Sequence, residues 1–171
     1  MREFVGQALV LRREDLGEHD ERITLFTPGW GKVRAKTIST RKPLSKLSPH
    51  LDVGNVVQGR FVEKHDLQLV DALKVRSTEW SLFDLYALDR LLFEDDVDEV
   101  LWGLLLTNSN SWEDLLSYMG WDTQYARCAT CDSAPVVAFD LGRQNYACGK
   151  CSGYLKRDDR LLLEMHNTAS Q

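Results

Sequence analysis

Four cysteines stand in two C-x2-C pairs, Cys128 with Cys131 and Cys148 with Cys151, sixteen residues apart. Each such turn aims two thiolates at one centre, and two turns complete a tetrahedron with metal–sulfur distances of about 2.3 Å. Sulfur fills all four positions, so none is left open for water. The spacing predicts one structural Zn2+ held by Cys128, Cys131, Cys148 and Cys151, closing a loop-rich segment that has little core of its own. A thioredoxin-like redox pair or four unrelated buried thiols are the competing readings, but a redox C-x2-C usually stands alone.

The second chemistry-bearing group is cationic. Residues 32–50 hold six Lys and Arg side chains, Lys32, Arg34, Lys36, Arg41, Lys42 and Lys46, and no carboxylate. The first three alternate with Val33, Ala35 and Thr37. In a strand that pattern turns Val33 and Ala35 inward and sets the three cations on one outer face, about 6.6–6.8 Å apart. Such a row can track a phosphate backbone. Ser39, Thr40, Ser45 and Ser48 add hydroxyl donors. The bland reading is a solvated strand face followed by a charged loop. The absence of acid across the whole run favours a polyanion site. Trp30, in the turn Pro28-Gly29-Trp30-Gly31, is either a base-stacking ring or a lid over a barrel end.

Little else suggests chemistry. His19, His50, His65 and His166 share no helical or strand spacing, and no G-x-S-x-G, P-loop or G-x-G-x-x-G is present. The acids at 94–99 read as a solvated helix start matched to its dipole rather than a carboxylate metal cluster. The expectation is a protein without bond chemistry.

The elements that would position these groups change character near Trp80. Before it, strands are expected at about 6–13, 22–27, 32–38, 55–62 and 67–75, with a long polar loop at 39–51. Five short strands suggest an oligonucleotide-binding (OB) type barrel, although the pattern alone does not separate it from an SH3-like one. After Trp80, Ser81-Leu82-Phe83-Asp84 has the form of a capping box and opens a first helix. A second helix is expected from 94–96 and a third from Ser111 to Gly120. Asp158 and Asp159 precede a short final helix expected at 161–165. The fold class is α+β, in three parts. A barrel occupies 1–78 and a helical segment 79–122. A zinc-binding region fills 123–171, its terminal helix packing on the helical segment.

The net charge of −5 hides a strong asymmetry. Residues 1–80 carry +3, residues 81–122 carry −9 and residues 123–171 carry +1. Distribution matters more than the sum for polyanion binding. No run of about 18 apolar residues predicts a membrane span, and the first apolar stretch is too short and broken for a secretory signal. A cytoplasmic, nucleoid-associated protein is expected.

Several runs resemble the RecO family of recombination mediators. They are Leu16-Gly17-Glu18-His19-Asp20, Leu25-Phe26-Thr27, Gly31-Lys32, and the stretch from Arg41-Lys42-Pro43-Leu44-Ser45-Lys46 through Leu47-Ser48-Pro49-His50-Leu51. Gly120-Trp121 followed by the four cysteines resembles that family's zinc region. The resemblance implies an OB barrel, a helical domain and a zinc finger. It also implies binding of single- and double-stranded DNA, annealing of complementary strands, and partnership with RecR and with the acidic tail of single-stranded-DNA-binding protein. By the same resemblance Lys32, Arg34, Lys36, Arg41, Lys42 and Lys46 would be the DNA contacts. The helical segment is shorter and more acidic than is usual in the family. Gln144, Asn145, Tyr146 and Ala147 replace glycines often found before the third cysteine. The rival functions are an RNA-binding translation or transcription accessory protein and a non-catalytic protein adaptor.

Overall fold

The alternation of β-branched and polar residues before Trp80 resolves into five strands: β1 (Arg2–Leu16), β2 (Asp20–Thr27), β3 (Gly31–Thr37), β4 (Asn55–Glu63) and β5 (Leu67–Ser77). In this computed structural model, which describes residues 1–107 and 111–163, they close into a barrel in the order β1-β2-β3-β5-β4. One long strand makes closure possible. The first half of β1 pairs with β4 (Arg2↔Glu63 to Leu9↔Val56), and its second half pairs with β2 (Leu9↔Phe26 to Leu16↔Asp20). The irregularity between Val10 and Arg12 bends the strand from one partnership toward the other. A parallel contact, Lys36↔Gln68, joins β3 to β5.

Inward-facing Ala8, Val10, Ile23, Leu25, Ala35, Val57, Phe61 and Leu69 fill the barrel, each at most 1% exposed. Burying each of the larger side chains contributes about 1.5–3 kcal/mol, so this cluster outweighs any single surface ion pair.

The outer face of β1 and β2 is apolar too, because Leu9, Leu11 and Phe26 are buried there. Helix α1 (Leu82–Leu91) packs against β1, and Trp102 of α2 (Glu99–Leu106) lies 6.1 Å from Phe26, ring centre to ring centre. The capping box at α1 forms as expected. The Asp84 N–H donates to Ser81 Oγ at 3.1 Å, and the Ser81 N–H donates to Asp84 Oδ2 at 2.9 Å. Helix α2 begins later than residues 94–96, at an Asp98 cap whose carboxylate accepts from the Leu101 N–H at 2.7 Å. Residues 94–96 instead run beside β3. The Asp95 N–H donates to Lys32 O at 3.1 Å, and Lys32 bridges to Glu94. Gly31 permits this approach, since a Cβ there would fall 2.2 Å from Asp96 O, and its φ of +67° is a conformation that glycine adopts at least cost.

The chain divides into two units, Met1–Asn108 and Ser109–Gln171. The division falls inside the helical segment expected at 79–122. Helices α1 and α2 belong with the barrel whose outer apolar face they cover. In the second unit, α3 (Trp112–Tyr118) starts at its Ser111 cap. It stops at Gly120, whose φ of +95° lets the Trp121 N–H reach Leu116 O at 2.7 Å. A three-stranded sheet follows, in the order β7-β6-β8, from β6 (Val136–Asp140), β7 (Asn145–Cys148) and β8 (Arg160–Leu162). The turn before β7 places Gln144 at φ +52°, the left-handed conformation that glycine would take at least cost.

The expected final helix is corrected here. Arg160–Leu162 is a strand that pairs Leu161 with Phe139 on β6. Leu161 is buried and Leu162 exposed, a period of two that three residues cannot reveal beforehand. Residues 164 and 165 lie outside the described residues. No described helix is long and apolar enough to cross a membrane.

Candidate nucleic-acid interface and metal centre

Strand β3 keeps its expected alternation, yet its three cations do not form one free row. Lys32 is 6% exposed. Its Nζ donates to the carbonyl O of Asp89 on α1 at 2.6 Å and lies 3.6 Å from the Asp89 carboxylate. Sequence alternation placed Lys32 on the outer face but could not show that α1 covers that end of it. Lys32 is thus withdrawn from the exposed cations. A Lys32→Met variant is expected to lose about 1–2 kcal/mol of stability, because the Asp89 carbonyl loses its donor while its carboxylate keeps Arg12 at 3.6 Å, and to keep the wild-type affinity for polyanions. Urea unfolding and a binding titration check the two halves of that expectation.

The other cations of the run are reachable, but three have carboxylate partners. Arg34 Nη2 lies 2.7 Å from Glu94, Lys36 Nζ 3.0 Å from Asp20, and Arg41 Nη1 3.1 Å from Asp15. The run lacks acids in sequence only. The fold brings them from the adjoining ends of β1 and β2 and from the stretch after α1. Partly exposed pairs of this kind contribute about 0–1 kcal/mol each, so phosphate can replace the carboxylate at small cost. Lys42 and Lys46 differ. Both are exposed, and among the described residues neither has an ion-pair partner.

Their loop is pinned by its backbone. The Ser39 N–H donates to Asp20 Oδ1 (2.9 Å), the Arg41 N–H to His19 O (3.1 Å) and the Ser45 N–H to Lys42 O (2.9 Å). Thr37 and Thr40 share a buried hydroxyl contact at 3.0 Å, and Leu47 and Leu51 anchor the far end on the barrel core. Beside the loop, Ile38, Leu44 and Val70 line a cleft of about 350 Å3 with Lys42 and Lys46 among its walls.

Two carboxylates beneath the loop make it acid-sensitive. The Ser39 N–H, and then Lys36, hold the Asp20 carboxyl below its usual 3.8. Burial pushes Glu21 upward, but the Arg13 guanidinium (2.9 and 3.1 Å) and Thr40 outweigh it and bring the group below 4.5. Folded values below unfolded ones mean that this stabilisation is complete above the unfolded pKa and is lost as pH falls through the folded pKa. The melting temperature is expected to stay level from pH 7 to about 5 and to fall below about 4. Glu21→Gln should flatten part of that fall in a calorimetric pH series.

In the second unit the four cysteines do converge. The Sγ atoms of Cys128, Cys131, Cys148 and Cys151 all lie within 4.8 Å of one another. Cys131 is 3.6 Å from both Cys148 and Cys151. A tetrahedron with metal–sulfur bonds of about 2.3 Å has edges of about 3.8 Å, so the cluster is already near the size of a metal centre. The thiol energetics agree. The backbone N–H of Cys148, with those of Thr130 and Cys131, lowers Cys128 to about 6, and Ser133 lowers Cys131. The neighbouring Cys131 and Cys128 sulfurs push Cys151 up to about 12. Donors favour the first thiolates, and the neighbouring sulfurs disfavour the last, a repulsion that a cation among them would relieve. An all-sulfur donor set of this shape could hold a metal ion. Phe139 supports the sheet behind it, 5.3 Å from Trp121 and 5.1 Å from Tyr146, and the Tyr146 hydroxyl donates to Trp121 O at 2.7 Å.

Residues 1–78 match the family described as the recombination protein O N-terminal domain. Over these residues the chain is similar to the RecO family. The DNA repair protein RecO of Cutibacterium acnes is 34% identical over 67 residues, which is 39% of this chain and 27% of that protein. The chain thus matches only about a quarter of that relative's length. The RecO match covers β1 to β5 and every cation of the 32–50 run, whereas the four cysteines lie beyond it. Sequence reasoning missed the carboxylate partners of those cations. Asp20 was within reach, because the β2–β3 pairing of Glu21 with Thr37 carries it to the loop start. Asp89 and Glu94 carried no such signal.

Proposed function

We propose that this protein binds single- and double-stranded DNA and promotes strand annealing or recombinase loading, without bond chemistry. Lys42 and Lys46 make the first phosphate contacts. Arg41, Lys36 and Arg34 join them by exchanging carboxylate for phosphate. The observation that carries this proposal is a pair of exposed lysines without an ion-pair partner among the described residues, on a loop whose backbone is held at both ends. A pinned loop loses little conformational freedom when phosphate binds, so the Coulomb gain and counterion release are retained.

The strand order and the RecO match support an OB-type barrel as the scaffold. The cysteine cluster holds one structural Zn2+, which closes the loops of the second unit. Partnership with a RecR-like protein and with single-stranded-DNA-binding protein, and a cytoplasmic, nucleoid-associated setting, complete the proposal.

Annealing of complementary single strands at several salt concentrations tests it. Acceleration that fades with added salt is expected. No acceleration at low salt contradicts the proposal, and a preference for RNA of the same sequence would replace DNA by RNA as the ligand.

A further inference from the structure

Besides the lysine loop, the barrel carries a second concave feature, a cleft of about 520 Å3 near the β2–β3 turn. That volume is in the range of small-ligand sites, roughly 300–1,000 Å3. Its floor is aromatic. Phe4 and Trp30 lie 4.1 Å apart, and Phe61 backs both at 5.4 and 5.8 Å. Phe4 and Trp30 are only partly buried, so ring surface remains available in the cleft. Gly6 lets the indole settle across β1, since a Cβ there would come within 3.0 Å of it. Trp30 is therefore a lid over the core on one side and a wall of the cleft on the other.

The rim carries both signs of charge. Arg2 and Arg34 line it together with Glu63, Glu94 and Asp95, and Arg2 is the cross-strand partner of Glu63. The rim is also preformed. The Asp95 N–H is bonded to Lys32 O, and Glu94 is paired with Arg34 at 2.7 Å. A phosphate alone gains little from a rim on which acids match bases. A flat heteroaromatic ring with donors and acceptors along its edge gains from every part. Phe4 and Trp30 are inclined at 54°, so one ring stacks on its face and the other meets its edge, while carboxylates accept its N–H groups and guanidinium groups donate to its carbonyls.

We propose that this cleft holds one unstacked nucleobase of a single strand, with the Trp30 indole as the stacking face and the tilted Phe4 ring at the base's edge. The assignment rests on the proposed DNA binding and adds a base-recognising site to the phosphate contacts of the lysine loop. In a duplex the bases are stacked and paired, so the cleft contributes to single-strand affinity alone.

An octathymidylate and an abasic strand of the same length and phosphate number separate the two contributions. Stacking of one base is worth about 1–3 kcal/mol, so wild type should bind octathymidylate roughly 5- to 150-fold more tightly. Trp30→Leu should reduce octathymidylate binding to the abasic level and leave duplex binding unchanged. Trp30→Phe should retain most of the preference. Equal affinity of wild type for the two strands overturns the base site but not DNA binding. Failure to bind either strand or a duplex overturns the proposed function and the base site together. Should Trp30→Leu fail to fold, wild type cross-linked to a 5-iodouracil strand decides the matter. Adducts are expected on peptides containing Phe4 or Trp30, and adducts confined elsewhere overturn the assignment.

Discussion

Reversing Lys42 and Lys46 together, as Lys42→Glu/Lys46→Glu, is expected to weaken single-strand binding on the order of 30- to 100-fold at low salt and to abolish annealing. These two lysines carry the largest effect because, among the described residues, no carboxylate is paired with them. Every other reachable cation of the run first has to leave a partner, whether Glu94, Asp20 or Asp15. The fold should survive the change. Both side chains are exposed, and the bonds that pin the loop run through its backbone and through Asp20. Circular dichroism and melting temperature should match wild type while fluorescence anisotropy reports the lost affinity. The opposite surface change is informative as well. Asp15→Asn/Asp20→Asn frees Arg41 and Lys36 and should tighten binding several-fold, provided that the pairs compete with phosphate.

Removal of metal is expected to have the second large effect, confined to the second unit. Wild type should contain close to one zinc per chain. A strong chelator, or Cys131→Ser, should collapse the near-ultraviolet signal of Trp112 and Trp121. The apparent free energy of structural zinc in small domains is about 10–16 kcal/mol, more than a small sheet around Phe139, Tyr146 and Leu161 supplies by itself. Cys131 is the best single test, since it touches both Cys148 and Cys151 at 3.6 Å. Zinc near zero with an unchanged spectrum would mean that buried thiols alone close the loops.

The barrel was legible in the sequence because its inner face is strictly alternating. Ala8, Val10, Ile23, Leu25 and Ala35 occur at period two, and turn residues separate the strands. The cysteine centre was legible because ligand spacing is local. Charge neutralisation was not, because it is made between distant elements. Fifty-seven positions separate Lys32 from its acceptor on Asp89. Burial of Lys32 also depends on α1 covering the outer face of β1, which the apolar Leu9 and Leu11 hint at but do not locate. The start of α2 was misread for a related reason. Glu94, Asp95 and Asp96 look like a first helical turn, yet the open edge beside Lys32 captures the Asp95 N–H, and Asp98 caps the helix instead. The final strand was missed because Leu161 and Leu162 alone carry no period.

The central claim is that exposed lysines of the loop after β3 bind phosphate, and the slope of log affinity against log salt for a single strand tests it most directly. Two phosphate contacts give a slope of about −1.4, and five give about −3.5. Wild type is expected within that interval, and Lys42→Glu/Lys46→Glu should be shallower by at least about 1.4. A wild-type slope near zero, or equal slopes for the two proteins, would contradict the claim.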